Sequence, residues 1–192
     1  MTQDIAVLIL AAGAASRFGS AKQLISYQGK PLLQHCIDKA NALCPGQVSV
    51  VLGANQELIE GQISAARVIS NPRWHQGLGA SIALGVENID PQSSGLLILL
   101  ADQIALTTDN LHLLLDAFDG TNTVSAFYAG RRGVPAIFPS YLYADLMTLS
   151  GDSGAKAVLH RTDIELVEID LPAAAMDIDS PQDWAQFLDS TD

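Results

Sequence analysis

The chain has 192 residues, of which 48% are hydrophobic and 16% are charged, a composition typical of a folded domain and unlike that of a disordered chain. Ten Lys and Arg residues against 21 Asp and Glu residues give a net charge of −11, which would repel nucleic acid backbones and anionic membranes. No repeat, low-complexity segment or long linker divides the chain. We therefore predict a single domain over residues 1–192.

The N-terminal residues and the cysteines indicate a cytoplasmic protein. Met1–Asp4 precedes the first apolar run without a basic segment or cleavage site, and no apolar run has the length of a membrane span. Cys36 and Cys44 lack the C-x-x-C spacing of metal and redox sites. We expect two reduced thiols.

The first strand and the loop after it carry the richest chemical pattern. The apolar run Ile5–Leu10 predicts a strand that is buried on both faces. From Ala11 to Ala21 nearly every residue is small, so the backbone can approach a ligand closely and present its N–H groups to an anion. Arg17 and Lys22 add a guanidinium fork and an ammonium, which suit a polyphosphate.

This loop does not match two common phosphate-binding motifs. A Walker loop needs Lys and Ser/Thr directly after its second glycine, whereas Ser20 and Ala21 follow Gly19, and the dinucleotide pattern G-x-G-x-x-G is absent. The pattern L-A-A-G-x-x-x-R-x-G-x-x-K, from Leu10 to Lys22, resembles the MobA-like nucleotidyltransferases and among them the molybdenum cofactor cytidylyltransferases. The resemblance implies a loop that wraps the triphosphate of an NTP. A glycine turn with two solvated cations is the alternative.

Strands and helices alternate after the loop. We predict strands at 23–27, 48–52, 67–70, 96–101 and 164–169, and helices at 31–43 and 56–63. Two further helices are predicted from their core-facing residues, which are Ile82, Val86 and Ile89 in the first and Leu111, Leu114, Leu115 and Phe118 in the second. The apolar runs 123–128 and 134–138 are joined by residues 129–133, which predicts a β-hairpin.

A polar loop from Asn71 to Ser81 leads into one of these helices. Free N–H groups at the helix start, from Gly79 to Ser81, could bind an anion or the edge of a base. The stretch resembles the family segment N-P-x-W-x-x-G-x-x-x-S, which lies over the nucleotide, and this implies nucleotide contacts for Gly79 and Ser81. Trp74 as a packing residue and His75 as a solvated residue remain alternatives.

Asp102 follows the strand predicted at 96–101, which places a carboxylate at the carboxyl edge of the sheet, where open α/β sheets bind ligands. A carboxylate that faces a phosphate-binding loop implies a bridging Mg²⁺. The stretch resembles the family's D-Q-P metal motif, with Ile104 in place of proline. Asp102 could instead cap the next helix, although Thr107 or Thr108 is better placed to do so.

Two later stretches resemble the family's acceptor side and its second metal ligand. Arg131 and Arg132 in the hairpin turn, and Asp152 in the G-D-x-G-A pattern, are candidate acceptor contacts, and Asp152 or Ser153 is a candidate N-cap for a short helix. The common family pattern G-H-P is replaced by Gly133-Val-Pro, and a solvated turn is the alternative for the arginines. The pattern D-I-D-S-P resembles the family's D-I-D-T-P motif and implies Asp179 as a second metal carboxylate.

Together these patterns predict a three-layer α/β/α domain with a Rossmann-like, mostly parallel sheet and a small β-hairpin insertion, as in nucleotide-diphospho-sugar transferases. The resemblance implies an Mg²⁺-dependent enzyme in which Leu10, Ala11, Ala12 and Gly13 contact the nucleotide, Arg17 and Lys22 neutralise the triphosphate, and Asp102 and Asp179 hold the metal. Ala-Ala-Gly goes with CTP in this family, which implies molybdopterin as acceptor and a molybdenum hydroxylase as recipient. A GTP-dependent or sugar-phosphate transferase and a non-catalytic nucleotide or pterin carrier are the alternatives.

Overall fold

The computed structural model describes residues 4–14 and 18–191. Over these two ranges nine strands follow in chain order: β1 (Ile5–Leu10), β2 (Ser26–Tyr27), β3 (Lys30–Pro31), β4 (Val48–Leu52), β5 (Arg67–Ser70), β6 (Gly95–Leu100), β7 (Thr123–Tyr128), β8 (Arg131–Pro139) and β9 (Leu166–Asp170). Seven α-helices accompany them within the described residues: α1 (Leu32–Leu43), α2 (Gln56–Glu60), α3 (Leu78–Asn88), α4 (Thr108–Ala117), α5 (Tyr143–Met147), α6 (Lys156–Leu159) and α7 (Pro181–Thr191).

Seven of the strands form one sheet in the order β5-β4-β1-β6-β8-β7-β9, in which β8 alone runs antiparallel to its neighbours. The predicted hairpin is formed by β7 and β8, and both strands belong to this sheet. A separate two-stranded ribbon joins β2 to β3. The expected three-layer, mostly parallel architecture is therefore confirmed.

Both faces of the central strands are buried, which explains why these strands read as continuous apolar runs. In β1, Val7 and Ile9 pack into a cluster with α1 and α4, whereas Leu8 and Leu10 pack into a second cluster with α3 and α5. None of these four side chains is more than 5% exposed. Within the described residues, no helix has both the length and the apolar character that a bilayer span requires.

The register of the sheet brings the ends of three strands together. Leu10, the last residue of β1, is paired with Val51 in β4 and with Leu100 in β6, and all three strands are parallel. The loop that follows β1 therefore begins between the segments that follow β4 and β6. This edge of the sheet carries the candidate site.

Two local predictions about segment boundaries were wrong. In place of a strand at 23–27, a 3₁₀ turn at Lys22–Leu24 precedes the two-residue strand β2. The helix expected at 56–63 ends at Glu60, because Gly61, a weak helix former, takes the C-cap position.

Two local predictions about turns and caps were also wrong. The hairpin turn consists of Ala129 and Gly130, both with positive φ as a tight hairpin turn requires, so Arg131 and Arg132 are strand residues. Neither Asp152 nor Ser153 caps α6, because Gly154, with φ of +54°, separates them from the helix.

Candidate active site

A cavity of about 520 Å³ opens at the carboxyl edge of the sheet. Its walls come from the loop after β1, the 3₁₀ turn at Lys22–Leu24, the start of α3 and the segment after β6. Among the residues predicted from sequence, these line it: Leu10, Ala11, Ala12, Gly13, Lys22, Ser81, Asp102, Asp152 and Asp179. Residues from distant parts of the chain therefore meet in one place.

Lys22 lies between two carboxylates in this cavity. Its Nζ atom is 2.7 Å from Oδ2 of Asp102 and 2.7 Å from Oδ1 of Asp179. Burial by itself would lower the pKa of the Lys22 ammonium, but the charges and hydrogen bonds of the two carboxylates outweigh it and raise that pKa above its usual value. Lys22 is therefore held fully protonated at neutral pH.

The loop after β1 is fixed by hydrogen bonds to its carbonyl groups. The amide of Gln23, which is 4% exposed, donates from Nε2 to the carbonyl oxygens of Ala11 and Gly13. The carbonyl of Ala12 accepts from the N–H of Ala54. In a trans peptide the C=O and the N–H point in opposite directions. The N–H of the residue after each of these carbonyls therefore points away from Gln23 or Ala54, which bind the carbonyl. Within residues 4–14 and 18–191, the N–H groups of Ala12 and Gly13 have no acceptor, so the loop can offer them to an anion.

The opposite wall of the cavity is built from Trp74 and the start of α3. A Cβ atom on Gly53 would lie 2.4 Å from Cβ of Trp74 and 2.9 Å from the carbonyl oxygen of Ala12, so the indole and the loop approach each other across this glycine. Ser81, which is 3% exposed, accepts a hydrogen bond from Nδ2 of Asn71. Trp74 is thus both a packing residue and a wall of the cavity.

A third carboxylate lies close to the pair formed by Asp102 and Asp179. Burial, and after it the negative charges of Asp102 and Asp179, raise the pKa of Asp177 to about 6, and the nearby charges of Lys22 and Arg131 oppose this rise. Oδ1 of Asp177 and Oδ1 of Asp102 are buried without a hydrogen-bond partner in the described part of the chain. Among the described residues, the site therefore holds three carboxylates, and two of their oxygen atoms are unsatisfied.

This donor set fits a magnesium ion that arrives with a nucleotide. Carboxylate oxygens are the ligands that Mg²⁺ prefers, and Mg²⁺ is commonly held by one or two carboxylates together with substrate phosphates. Across residues 4–14 and 18–191, no group of three or more His, Cys, Asp or Glu side chains is arranged to hold a metal ion by itself. Oδ1 of Asp102, which is buried without a hydrogen-bond partner among the described residues, is a ligand atom of the kind such an ion needs.

The remaining predicted residues lie in different surroundings. Arg17 lies outside the described residues. Gly79 is buried against the backbone of Ser150 and is absent from the cavity lining. Arg132 pairs with Glu168 and also donates to the carbonyl of Leu159, so its guanidinium is already bound.

The positive charge of Arg131 is near enough to the site to lower the pKa of Asp177. The guanidinium carbon of Arg131 lies 5.6 Å from the centre of the Tyr128 ring. His75, whose role the sequence left open, is exposed at the rim of the cavity.

Three site residues were missed in the sequence: Gln23, Gln103 and Asp177. The two glutamines are 4% exposed and bind backbone carbonyl groups. Gln23 directly follows Lys22, and Gln103 is the glutamine of the D-Q-P pattern quoted for Asp102, so these two positions were the signals that could have pointed to them.

Comparison with known proteins places the chain in a family. The sequence profile of the MobA-like NTP transferase domain matches residues 7–166. The chain belongs to this family. Among curated relatives, the bifunctional protein GlmU of Halorhodospira halophila is 37% identical over 133 residues, which are 66% of this chain and 27% of that protein. GlmU of Burkholderia mallei is 36% identical over 114 residues, 58% of this chain and 25% of that protein. The chain thus spans about a quarter of the length of these relatives.

Solved structures share the fold of this MobA-like domain. Rv0371c from Mycobacterium tuberculosis has a TM-score of 0.82 and 24% identity, and the match covers 98% of this chain and 99% of that one. The nucleotidyl transferase Mth528 from Methanothermobacter thermautotroptrophicus has a TM-score of 0.81 and 21% identity, with 97% and 96% covered. CMP:2-keto-3-deoxy-manno-octonic acid synthetase complexed with CTP has a TM-score of 0.75 and 12% identity, with 98% of each chain covered. At these identities the likeness shows the fold alone.

Proposed function

We propose that this chain is a nucleotidyltransferase that joins CMP from CTP to the phosphate of molybdopterin carrying molybdenum, with release of pyrophosphate. The observation that carries the proposal is the position of Lys22 between Asp102 and Asp179, beside a loop whose Ala12 and Gly13 N–H groups have no acceptor in the described part of the chain. A cation, two carboxylates and backbone donors in one cavity suit a triphosphate with its magnesium ion. Membership of the MobA-like NTP transferase family supports this assignment.

The reaction is an in-line displacement at the α-phosphorus. An oxygen of the acceptor phosphate attacks the α-phosphorus of CTP, the bond from that phosphorus to the bridging oxygen breaks, and pyrophosphate leaves with the bonding electrons. Such a step depends mainly on positioning and on neutralisation of charge. Lys22 and the loop N–H groups are assigned to the triphosphate and the leaving pyrophosphate. Arg17 is assigned the same task from its place in the sequence motif.

Asp102 and Asp179 are the residues that would hold Mg²⁺. The bound ion would neutralise phosphate charge and orient the reacting groups. The orphaned oxygen of Asp102 and the carboxylate donor chemistry support this assignment, and one solved structure of the similar protein Rv0371c is a complex with manganese. Lys22 would then exchange part of its contact with these carboxylates for contact with the phosphates.

CTP is proposed as the donor because the loop after β1 carries Ala12 where guanylyltransferases of the resembled family carry glycine. The Cβ atom of Ala12 narrows the place where a base would rest, between this loop, Trp74 and Ser81. One methyl group discriminates only modestly, by about 1–3 kcal/mol, so contacts from Ser81 and the loop backbone are expected to add to it. The similar synthetase solved with CTP agrees in fold with this choice.

The acceptor side is proposed to lie toward Asp152, which lines the cavity. Arg131 is retained as a contact for the acceptor phosphate, since its charge already acts on the carboxylate cluster. Arg132 is a weaker candidate because its guanidinium already forms an ion pair with Glu168. The product, a cytosine dinucleotide form of the cofactor, would be passed to a molybdenum hydroxylase.

A transferase acting on a sugar or alcohol phosphate is the second candidate. Its support is the likeness in fold to 4-diphosphocytidyl-2C-methyl-D-erythritol synthase of Anaerococcus prevotii, with a TM-score of 0.73 and 15% identity over 97% of this chain and 96% of that one.

The experiment combines the purified chain with Mg²⁺, each of the four NTPs and either molybdenum cofactor or a panel of sugar and alcohol phosphates, and measures pyrophosphate. We expect release with CTP and molybdenum cofactor. Release with a sugar phosphate alone would favour the second candidate, and tighter binding of GTP than CTP in calorimetric titration would reject the choice of nucleotide. Nucleotide binding without pyrophosphate from any acceptor would reject both enzymes in favour of a carrier.

A further inference from the structure

Gln103, the residue directly after Asp102, joins three separate segments of the chain. Its side chain is 4% exposed, and its Nε2 atom donates to the carbonyl oxygen of Val134 in β8 at 3.0 Å and to that of Ala174 at 2.9 Å. Because both partners are carbonyl oxygens, the atom that faces them must be the amide nitrogen, which fixes the orientation of the side chain. Tyr128 donates its hydroxyl to the same oxygen of Val134.

The hydrogen bond to Ala174 fixes the position of the segment that leads to Asp179. Ala174 lies in the 3₁₀ turn Pro172–Ala175, five residues before Asp179. A backbone bond continues the attachment, since the N–H of Ile178 donates to the carbonyl oxygen of Asp102 at 3.1 Å. The side chain of Ile178 is fully buried. The segment from 174 to 178 is thus fastened to residues 102 and 103 at both of its ends.

We propose that Gln103 is a positioning residue that holds Asp179 at its working distance from Asp102, so that the two carboxylates can share one metal ion. The proposal rests on the proposed function, which assigns these carboxylates to Mg²⁺. The two donors on its amide nitrogen let Gln103 bind both carbonyl groups at once, although these partners lie 31 and 71 residues away in the chain. Replacing a residue that orients metal ligands without contacting the metal commonly lowers metal affinity or activity by about 10- to 100-fold.

The test uses two matched substitutions, Gln103→Met and Gln34→Met. Methionine has nearly the length and volume of glutamine but no amide donors, so it removes the hydrogen bonds with little change in packing. Gln34 is also buried, at 8% exposure, and its amide binds Asp38 and the backbone of Ser64, away from the cavity. It therefore controls for the general cost of replacing a buried glutamine.

The first readout is independent of catalysis and of metal. Exchange of the Ile178 amide hydrogen, followed by NMR in the metal-free protein, reports the bond from Ile178 to Asp102. We expect Gln103→Met to speed this exchange at least about tenfold and Gln34→Met to leave it unchanged. Equal exchange in the two variants would overturn the proposal.

The second readout is the binding of Mn²⁺, measured by electron paramagnetic resonance in the presence of CTP. Gln103→Met is expected to weaken Mn²⁺ binding about tenfold, whereas CTP binding without metal changes less than twofold and Gln34→Met matches the natural chain. Unaltered Mn²⁺ affinity in Gln103→Met would overturn the role toward the metal. If the natural chain itself bound no Mn²⁺ with any NTP, the proposed function would fail and the role toward a metal with it, while the exchange measurement would still decide whether Gln103 fastens the segment.

Discussion

The ammonium of Lys22 lies 2.7 Å from a carboxylate oxygen of Asp102, although 80 residues separate them in the chain. Asp179 contacts the same nitrogen, so one positive charge faces two negative ones, with Asp177 close by. Among the described residues, three carboxylates therefore lie around one ammonium that contacts two of them.

The Asp102 carboxylate is expected to be essential for turnover. Asp102→Asn keeps the shape of the side chain but removes its charge, and we expect kcat to fall at least about 100-fold, as for other electrostatic groups that act on the transition state. Thermal unfolding should show less than about 2 kcal/mol of lost stability. Asp163→Asn, which breaks the exposed pair with Arg161, serves as the control and should retain full activity. An active Asp102→Asn enzyme would remove Asp102 from the site.

Lys22 is expected to contribute to stability as well as to function. Lys22→Met would leave the carboxylates of Asp102 and Asp179 without their shared cation, and we expect a loss of about 1–3 kcal/mol in urea unfolding, less than for a fully buried pair because the side chain of Asp179 is 48% exposed. The control Lys30→Met breaks the exposed pair with Asp38 and should cost less than about 1 kcal/mol. Equal losses in the two variants would show that the carboxylates do not depend on Lys22.

Gly53 is expected to tolerate no side chain. In Gly53→Ala the new Cβ would meet Trp74 and the carbonyl of Ala12 at distances that no real contact shows, so both must move. We expect about 1–3 kcal/mol of lost stability and weaker CTP binding. Gly61→Ala is the matched control, because nothing lies within 4 Å of its added Cβ and its backbone is helical. Unchanged CTP affinity in Gly53→Ala would separate this wall from nucleotide binding.

Asp177 is expected to make the metal-free protein less stable as the pH rises. Its pKa of about 6 in the folded chain lies above the ordinary value of 3.8, so the folded state holds more protons between these values and loses stability as the pH rises through them. The groups that act on it are Asp102, Asp179, Lys22 and Arg131. Asp177→Asn should therefore be more stable than the natural chain by about 1–3 kcal/mol above pH 6 and should differ little below pH 4.

The measurement for Asp177 is urea unfolding of both proteins across this pH range with a chelator present. A constant difference between the two proteins at every pH would contradict the shifted pKa.

The sheet could be predicted from the sequence because its central strands are buried on both faces and stand out as apolar runs. The meeting of the loop after β1 with Asp102 followed from the same pattern, since the carboxyl ends of parallel strands share one edge of the sheet. For the cap of α4 the sequence offered Thr107 or Thr108, and the structure has Thr107, in a reciprocal pair with Asn110.

The position of Lys22 between two carboxylates could not be predicted. It depends on the 3₁₀ turn at Lys22–Leu24, where the apolar pattern favoured a strand. Gln103 stands in the D-Q-P pattern, but its role was missed because its hydrogen-bond partners, Val134 and Ala174, lie far away in the chain. Asp177 is the first aspartate of the quoted D-I-D-S-P pattern, but its raised pKa depends on burial, which is a property of the folded chain.

Transfer of the nucleotidyl group itself can be followed with CTP that is labelled at its α-phosphate. The natural chain and Asp102→Asn are incubated with labelled CTP, Mg²⁺ and molybdenum cofactor, and the label is followed into the acceptor. With the natural chain we expect labelled acceptor and pyrophosphate to appear together, one pyrophosphate for each label transferred, and we expect Asp102→Asn to transfer at least about 100-fold more slowly. Label that stays in CTP, or that appears as free CMP without entering the acceptor, would rule out the proposed transfer.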